Sequence, residues 1–274
     1  MEWLLLVVIG VLSGTLGSLV GLGGGIITVP ALIYLGGIFS QFENVTPQIA
    51  VGTSLLVIIF TGLSSTLSYM KHKTIDYKSG IIFFIGSGPG GIVGAWLNQF
   101  FNVKTFSFYF GTFIIFISIV LLFRGRLKPL GLKRFKTQII NTYKDKDGTE
   151  ITYSYQPILA IFIAFFVGML GGMFGVGGGS LMVPAMILLF AFPPHIAIAT
   201  SMFMILLSST TSSITHIMMN NIDWMVTLAL IPGAWVGGRL GAYINVKLKS
   251  NVVVHILRII LVIVGVRLIY QGVV

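Results

Sequence analysis

Five long stretches of this chain carry no Asp, Glu, Lys or Arg: Trp3 to Phe42, Asn44 to Met70, Ser79 to Val103, Thr105 to Phe123 and Ile151 to Ile222. A helix needs about 20 consecutive apolar residues to cross the hydrocarbon of a bilayer. Each stretch therefore holds at least one crossing, and the first and last hold more. Only 9% of residues are charged and mean hydropathy is +0.99, whereas a soluble domain carries about 25% charged residues. A water-soluble fold is excluded. The expected fold class is an all-α polytopic membrane protein, with the lipid bilayer as partner and the plasma (inner) membrane as its multi-pass location.

The opening Met1-Glu2-Trp3 lacks the basic start and cleavage site of a removable leader, so the first segment is expected to remain as a membrane helix. The net charge of +10 does not point to nucleic acid, because the basic residues lie between apolar runs rather than along an aromatic-studded face. With no cysteine in the chain, disulfides, thiolate chemistry and Cys-based metal sites are excluded.

One motif is used twice. Gly17-Ser-Leu-Val-Gly-Leu-Gly-Gly-Gly-Ile-Ile-Thr-Val-Pro-Ala31 is answered 154 residues later by Gly171-Gly-Met-Phe-Gly-Val-Gly-Gly-Gly-Ser-Leu-Met-Val-Pro-Ala185. Pro47-Gln-Ile-Ala-Val-Gly-Thr-Ser54 is answered by Pro194-His-Ile-Ala-Ile-Ala-Thr-Ser201, and Ile75-Asp76 by Ile222-Asp223, both at an offset of 147. Pro89-Gly90 with Gly94, set against Pro232-Gly233 with Gly237, is read as a fourth block. The chain divides into a first membrane repeat at 1–123, a cytoplasmic linker at 124–156 and a second membrane repeat at 157–274.

Each half holds five apolar segments: 3–20, 26–39, 47–70, 79–101 and 105–123, then 157–174, 180–192, 194–218, 224–245 and 252–271. The second of each half, with 14 and 13 residues, is too short for a perpendicular crossing. The first two segments of each half are expected to form a broken-helix or re-entrant hairpin. Either way each half crosses an odd number of times, so the repeats have inverted topology. That arrangement gathers Lys71, Lys73 and Lys78, the basic linker, and Lys247 with Lys249 on one face. The positive-inside rule makes this face cytoplasmic and puts both termini outside. Within the linker, Thr142 to Tyr153 alternates around Asp147-Gly148, a hairpin signal, although a plain flexible linker fits as well.

Inverted repeats with short, glycine-interrupted segments at matching positions mark the binding site of a secondary transporter. A helix that starts just after a glycine break presents free N–H groups and the positive end of its dipole, which suits an anion. Gly23, Gly24 and Gly25 with Gly177, Gly178 and Gly179 are therefore candidate substrate-binding residues, two helix starts expected to face each other near the midplane. The competing reading is close helix packing through Gly-xxx-Gly pairs. A dinucleotide-binding or phosphate-loop reading is weaker, because no strand precedes the glycines and no Gly-Lys-Ser/Thr follows them. Thr53, Ser54, Thr200 and Ser201 add hydroxyls at equivalent points, either as donors to an oxoanion or bonded to their own helices. Pro30 and Pro184 lie inside the helices after the breaks, as gating elements or shapers of a packing helix.

No Asp or Glu lies deep in a span, which removes the carboxylates that cation sites and proton relays use. His216 is read as a packing residue and Arg239 as an interfacial one. No catalytic triad, His-Glu-x-x-His or paired carboxylates are present, so neither an enzyme nor a metal or cofactor is expected. The paired Gly-x-Gly-Gly-Gly-x-x-x-Val-Pro motifs at 21–30 and 175–184, with the Pro-x-x-Ala-x-x-Thr-Ser blocks at 47–54 and 194–201, resemble the TauE/SafE family of sulfite and organosulfonate exporters over essentially the whole chain. The resemblance implies a secondary carrier, an exporter, for small inorganic or organic anions such as sulfite, thiosulfate or sulfonates. It also implies that Gly23–Gly25 and Gly177–Gly179 form the substrate region. The long basic linker departs from a minimal member. Alternating access is the expected mechanism, with an anion channel or a non-transporting membrane scaffold as alternatives. Proton coupling and homo-oligomer formation stay open.

Overall fold

The computed structural model describes residues 2–39, 42, 44–123, 138–144, 150–247, 259, 262–263, 265–270 and 272–273. Its elements are α1 (Glu2–Val20), α2 (Gly25–Gly36), α3 (Pro47–Lys71), α4 (Tyr77–Asn98), α5 (Val103–Phe123), β1 (Ile139–Lys144), β2 (Glu150–Tyr155), α6 (Pro157–Phe174), α7 (Gly179–Leu189), α8 (Pro194–Met218) and α9 (Trp224–Lys247). Among the described residues, six helices (α1, α3, α4, α6, α8 and α9) are long and apolar enough to cross a membrane. Helices α3, α6 and α8 begin with proline at the first helical positions, where its missing N–H costs nothing. At 12 and 11 residues, α2 and α7 reach only about 18 Å at 1.5 Å per residue. They are short helices that turn back beside α1 and α6. Of the expected tenth segment, residues 265–270 are helical; much of the rest lies outside the described residues.

The glycine contacts fix how the helices run. Along α9, a Cβ added at Gly233, Gly237 or Gly241 would strike the carbonyl oxygens of Val7, Val11 and Thr15 in turn, so α1 and α9 are parallel and in near backbone contact. Along α4, Gly86, Gly90 and Gly94 meet Ile161, Phe165 and Met169 in the same way, so α4 and α6 form an equivalent parallel pair. Between α3 and α8 the order reverses: Gly52 lies at Asn221 and His216, and Gly62 at Leu206. Helices equivalent in sequence thus run in opposite senses. The ends of α3 and α9, with Lys71 and Lys247, share one end of the bundle, and the start of α1 lies at the other.

These seams correct one sequence correspondence. Gly86, Gly90 and Gly94 are the structural mates of Gly233, Gly237 and Gly241, at the same offset of 147 that relates Asp76 to Asp223. Matching Pro89 to Pro232 put the helices one turn out of step, because two prolines happen to sit in different turns of equivalent helices.

Polarity is inverted relative to a soluble protein. Leu12, Ile158, Phe162 and Leu228 are half to three quarters exposed on the outer faces, while Ser13, Thr61, Ser64, Ser65, Ser208 and Ser212 are buried between helices. In hydrocarbon, small residues let backbones approach and hydroxyls bond across them, as Ser64 does to the Trp235 carbonyl (2.6 Å) and Ser65 to that of Gly238 (3.2 Å).

Strands β1 and β2 pair antiparallel, with Ile139 opposite Tyr155 and Lys144 opposite Glu150; the Asp147-Gly148 turn lies outside the described residues. Tyr153 and Tyr155 reach onto the membrane helices, packing with Phe83, Phe190 and Phe192. The hairpin covers the end of the bundle where α3 gives way to α4.

Candidate functional site: two glycine turns that meet

The turns after α1 and α6 share one shape. N–H groups of Gly21, Leu22 and Gly23 crowd onto the Gly17 carbonyl, and that of Val176 onto Gly171. Gly23 and Gly177 have φ of 80° and 58°, a left-handed conformation that side-chained residues adopt at a cost. Both also lack room. A Cβ on Gly23 would lie 3.1 Å from Ile58 and 3.3 Å from Ile205, and one on Gly177 would lie 3.1 Å from Ile205 and 3.3 Å from Ile58. These two isoleucines, at the middles of α3 and α8, are buried. They form an apolar septum against which both turns rest. The turns also touch each other: Gly25 packs on the Gly175 carbonyl, and Gly179 on that of Gly21.

The predicted hydroxyls are present, fully buried, and each binds the opposite half. Ser54 Oγ donates to the Gly175 carbonyl (3.0 Å) and Ser201 Oγ to the Gly21 carbonyl (2.9 Å). Thr53 Oγ1 accepts from the Asp223 N–H (3.0 Å), and Thr200 Oγ1 from the Asp76 N–H (3.0 Å). A hydroxyl has one proton. In this arrangement the serines spend theirs shaping the glycine turns, while the threonines retain one to donate.

Sequence reasoning missed the residues that finish the last turns of α1 and α6. Asn245 Nδ2 donates to the Leu19 carbonyl (2.6 Å), Asn98 Nδ2 to that of Met173 (2.8 Å), and Tyr69 to that of Ser18 (2.9 Å). These carbonyls have no partner within their own helices. The signal was available, since Asn98 and Asn245 stand at the repeat offset of 147. Asp76 and Asp223, read only as repeat markers, are helix N-caps that accept from the Ser79 and Val226 N–H groups.

Pro30 and Pro184 are each the sixth residue of their short helices. Among the described residues no Asp, Glu, Lys or Arg is buried. His216 is buried beside the Asn221 amide (3.3 Å), and Arg239 is exposed. No group of three or more His, Asp or Glu able to hold a metal occurs among the described residues. Several buried hydroxyls lack any partner, including those of Ser209, Ser213 and Thr66. Each costs on the order of 1–3 kcal/mol if left unpaired.

At the covered end of the bundle, Asp76 Oδ2 accepts from Ser79 Oγ (2.6 Å), Asn141 Nδ2 (2.8 Å) and Tyr153 (2.9 Å), while Tyr155 shares a hydrogen bond with Ser79 (2.7 Å). Burial, and then the Asp76 charge, raise the Tyr153 phenol. Burial pushes that of Tyr155 up to about 12.

Six apolar spans in two opposed sets, joined through paired helix breaks buried at their centre, are the construction of a multi-pass membrane transporter. The family model described as sulfite exporter TauE/SafE matches residues 6–268: the chain belongs to the TauE/SafE family. It is 55% identical over 273 residues to "Probable membrane transporter protein YunE" of Bacillus subtilis, covering 100% of this chain and 99% of that one. A probable membrane transporter protein of Methanocaldococcus jannaschii is 28% identical over 260 residues, covering 90% and 88%. "Sulfite exporter TauE/SafE family protein 6" of Arabidopsis thaliana is 29% identical over 90 residues, 33% of this chain and 21% of that one. No solved structure matches at a significant level.

Proposed function

We propose that this transporter is a secondary carrier that exports small anions, sulfur oxoanions or organosulfonates such as sulfite or thiosulfate, by alternating access. The observation that carries the reading is the meeting of two glycine turns from oppositely directed halves, each shaped by a serine of the other half (Ser54 and Ser201). In the proposal the glycine turns Gly23–Gly25 and Gly177–Gly179 bind the anion through the N–H groups left without a backbone partner there, those of Gly24, Gly25, Gly177 and Gly178, with Thr53 and Thr200 as further donors. Unpaired N–H groups at a helix start suit an anion, and with no buried basic side chain among the described residues the site can release a charged substrate. Ile58 and Ile205 fill the space between the turns, which favours a carrier that exposes its site to one side at a time over an open channel. Pro30 and Pro184 shape the moving short helices.

The face carrying Lys71, Lys73, Lys78 and the hairpin is cytoplasmic in this reading, by the positive-inside rule. The test is uptake of radiolabelled sulfite and thiosulfate into proteoliposomes with and without an imposed proton gradient. Saturable flux that accelerates the exchange of internal for external anion is expected. Unsaturable flux would identify a channel, and no flux for either anion removes the reading.

A further inference from the structure

The two halves are not equivalent at the point where the glycine turns meet, and one difference is a hydroxyl. Ser209 of α8 is fully buried and its Oγ has no hydrogen-bond partner. That Oγ lies 2.8 Å from where a Cβ would stand on Gly177, so it faces the second turn. The same spot is bounded by Ile205 and Ile58, at 3.1 and 3.3 Å. The repeat offset of 147 assigns Gly62 as the mate of Ser209 on α3. Gly62 has no side chain to offer, and a Cβ there would press on the Leu206 backbone at 3.2 Å. The close crossing of α3 and α8 therefore disfavours a side chain in one half and leaves room for the hydroxyl in the other.

A serine in a helix ordinarily turns its proton to a carbonyl one turn back. Thr61, Ser65 and Ser212 do so with Val57, Thr61 and Ser208. Ser209 does not, although it sits in apolar surroundings where an unpaired hydroxyl is disfavoured. A group held unpaired beside a glycine that no side chain can occupy is placed to meet something that enters there. We propose that Ser209 is a substrate-binding residue, donating its hydroxyl proton to an oxygen of the transported oxoanion at the Gly177 turn. The binding site is then lopsided: the second half supplies a side-chain donor that the first half lacks. This rests on the anion-carrier reading above.

The experiment is sulfite exchange in proteoliposomes, with thermal unfolding of the detergent-solubilised protein alongside. For Ser209→Ala we expect KM for radiolabelled sulfite to rise about tenfold or more, the effect of losing one hydrogen bond to a charged group, with maximal exchange rate changed less. The unliganded variant should melt at or above the wild-type temperature, since an unpaired buried hydroxyl has been removed. The upward shift that sulfite produces in the wild type should shrink. A residue needed only for packing gives the opposite pattern, a lower melting temperature with unaltered KM, and that result overturns the proposal. So does an equal rise in KM for Ser213→Ala, whose hydroxyl is also unpaired but is not among the atoms nearest to a Cβ added at Gly177. If wild-type protein exchanges neither sulfite nor thiosulfate, the anion-carrier reading fails and this inference with it. Wild-type exchange with an unchanged KM for Ser209→Ala removes this inference alone.

Discussion

Gly24 and Gly178 occupy matching places at the starts of α2 and α7, yet their backbones differ. Gly24 has φ of 103° and a Cβ there would lie 2.7 Å from the Ser13 carbonyl oxygen. Gly178 has φ of −22°, and the nearest atom to an added Cβ is the end of Met204 at 3.4 Å. A methyl group is therefore tolerable at one position and not at the other. Gly178→Ala is expected to insert and transport at a substantial fraction of the wild-type rate, and Gly24→Ala to lose at least tenfold, measured as anion exchange per folded molecule. Equal loss in both would show that the turns tolerate no side chain regardless of backbone.

Among the elements, the hairpin β1–β2 is held by Asp76 and by aromatic contacts to α4 and the end of α7. Asp76→Asn is expected to weaken its docking, because the carboxylate accepts two side-chain hydrogen bonds from the hairpin, those of Asn141 and Tyr153, and charged acceptors contribute about 1.5–3 kcal/mol each; faster limited proteolysis within the hairpin would report it. Tyr155 keeps its proton to about 12, whereas a free tyrosine loses it near 10. A raised value means that the docked form holds the proton more tightly, so docking is at full strength below pH 10 and weakens as pH rises from 10 towards 12. Tyrosinate absorbance against pH checks this. Much of this level was legible in the sequence. Charge-free runs gave the spans and segment length gave the short α2 and α7, while the alternation of Thr142–Tyr153 left a hairpin and a flexible linker equally open, and the strands run beyond it at Ile139–Lys144 and Glu150–Tyr155. The packing partners were not legible, because Gly86 and Gly233 can be matched only when α6 and α1 are seen against them, and the prolines nearby suggested a different register. The crossed bonds of Ser54 and Ser201 were equally hidden, since a hydroxyl's spacing along α3 or α8 says nothing about which carbonyl of the other half it will find.

At the scale of the molecule, the fold places Lys71 and Lys73 at one end of the bundle and the start of α1, with Glu2, at the other. The natural chain contains no cysteine, so single cysteines introduced at Lys73 and at Lys104 report sidedness without background. In intact cells an impermeant thiol reagent is expected to label position 104 and not 73; the reverse would invert the orientation. The crossed hydrogen bonds carry a further consequence. Since each glycine turn is shaped by a serine of the other half, a gene cut between the codons for Lys144 and Glu150 should yield two mutually dependent polypeptides. Expressed separately, each fragment is expected to be degraded; expressed together, they should enter the membrane in opposite senses and restore transport, as two products of a duplicated gene would.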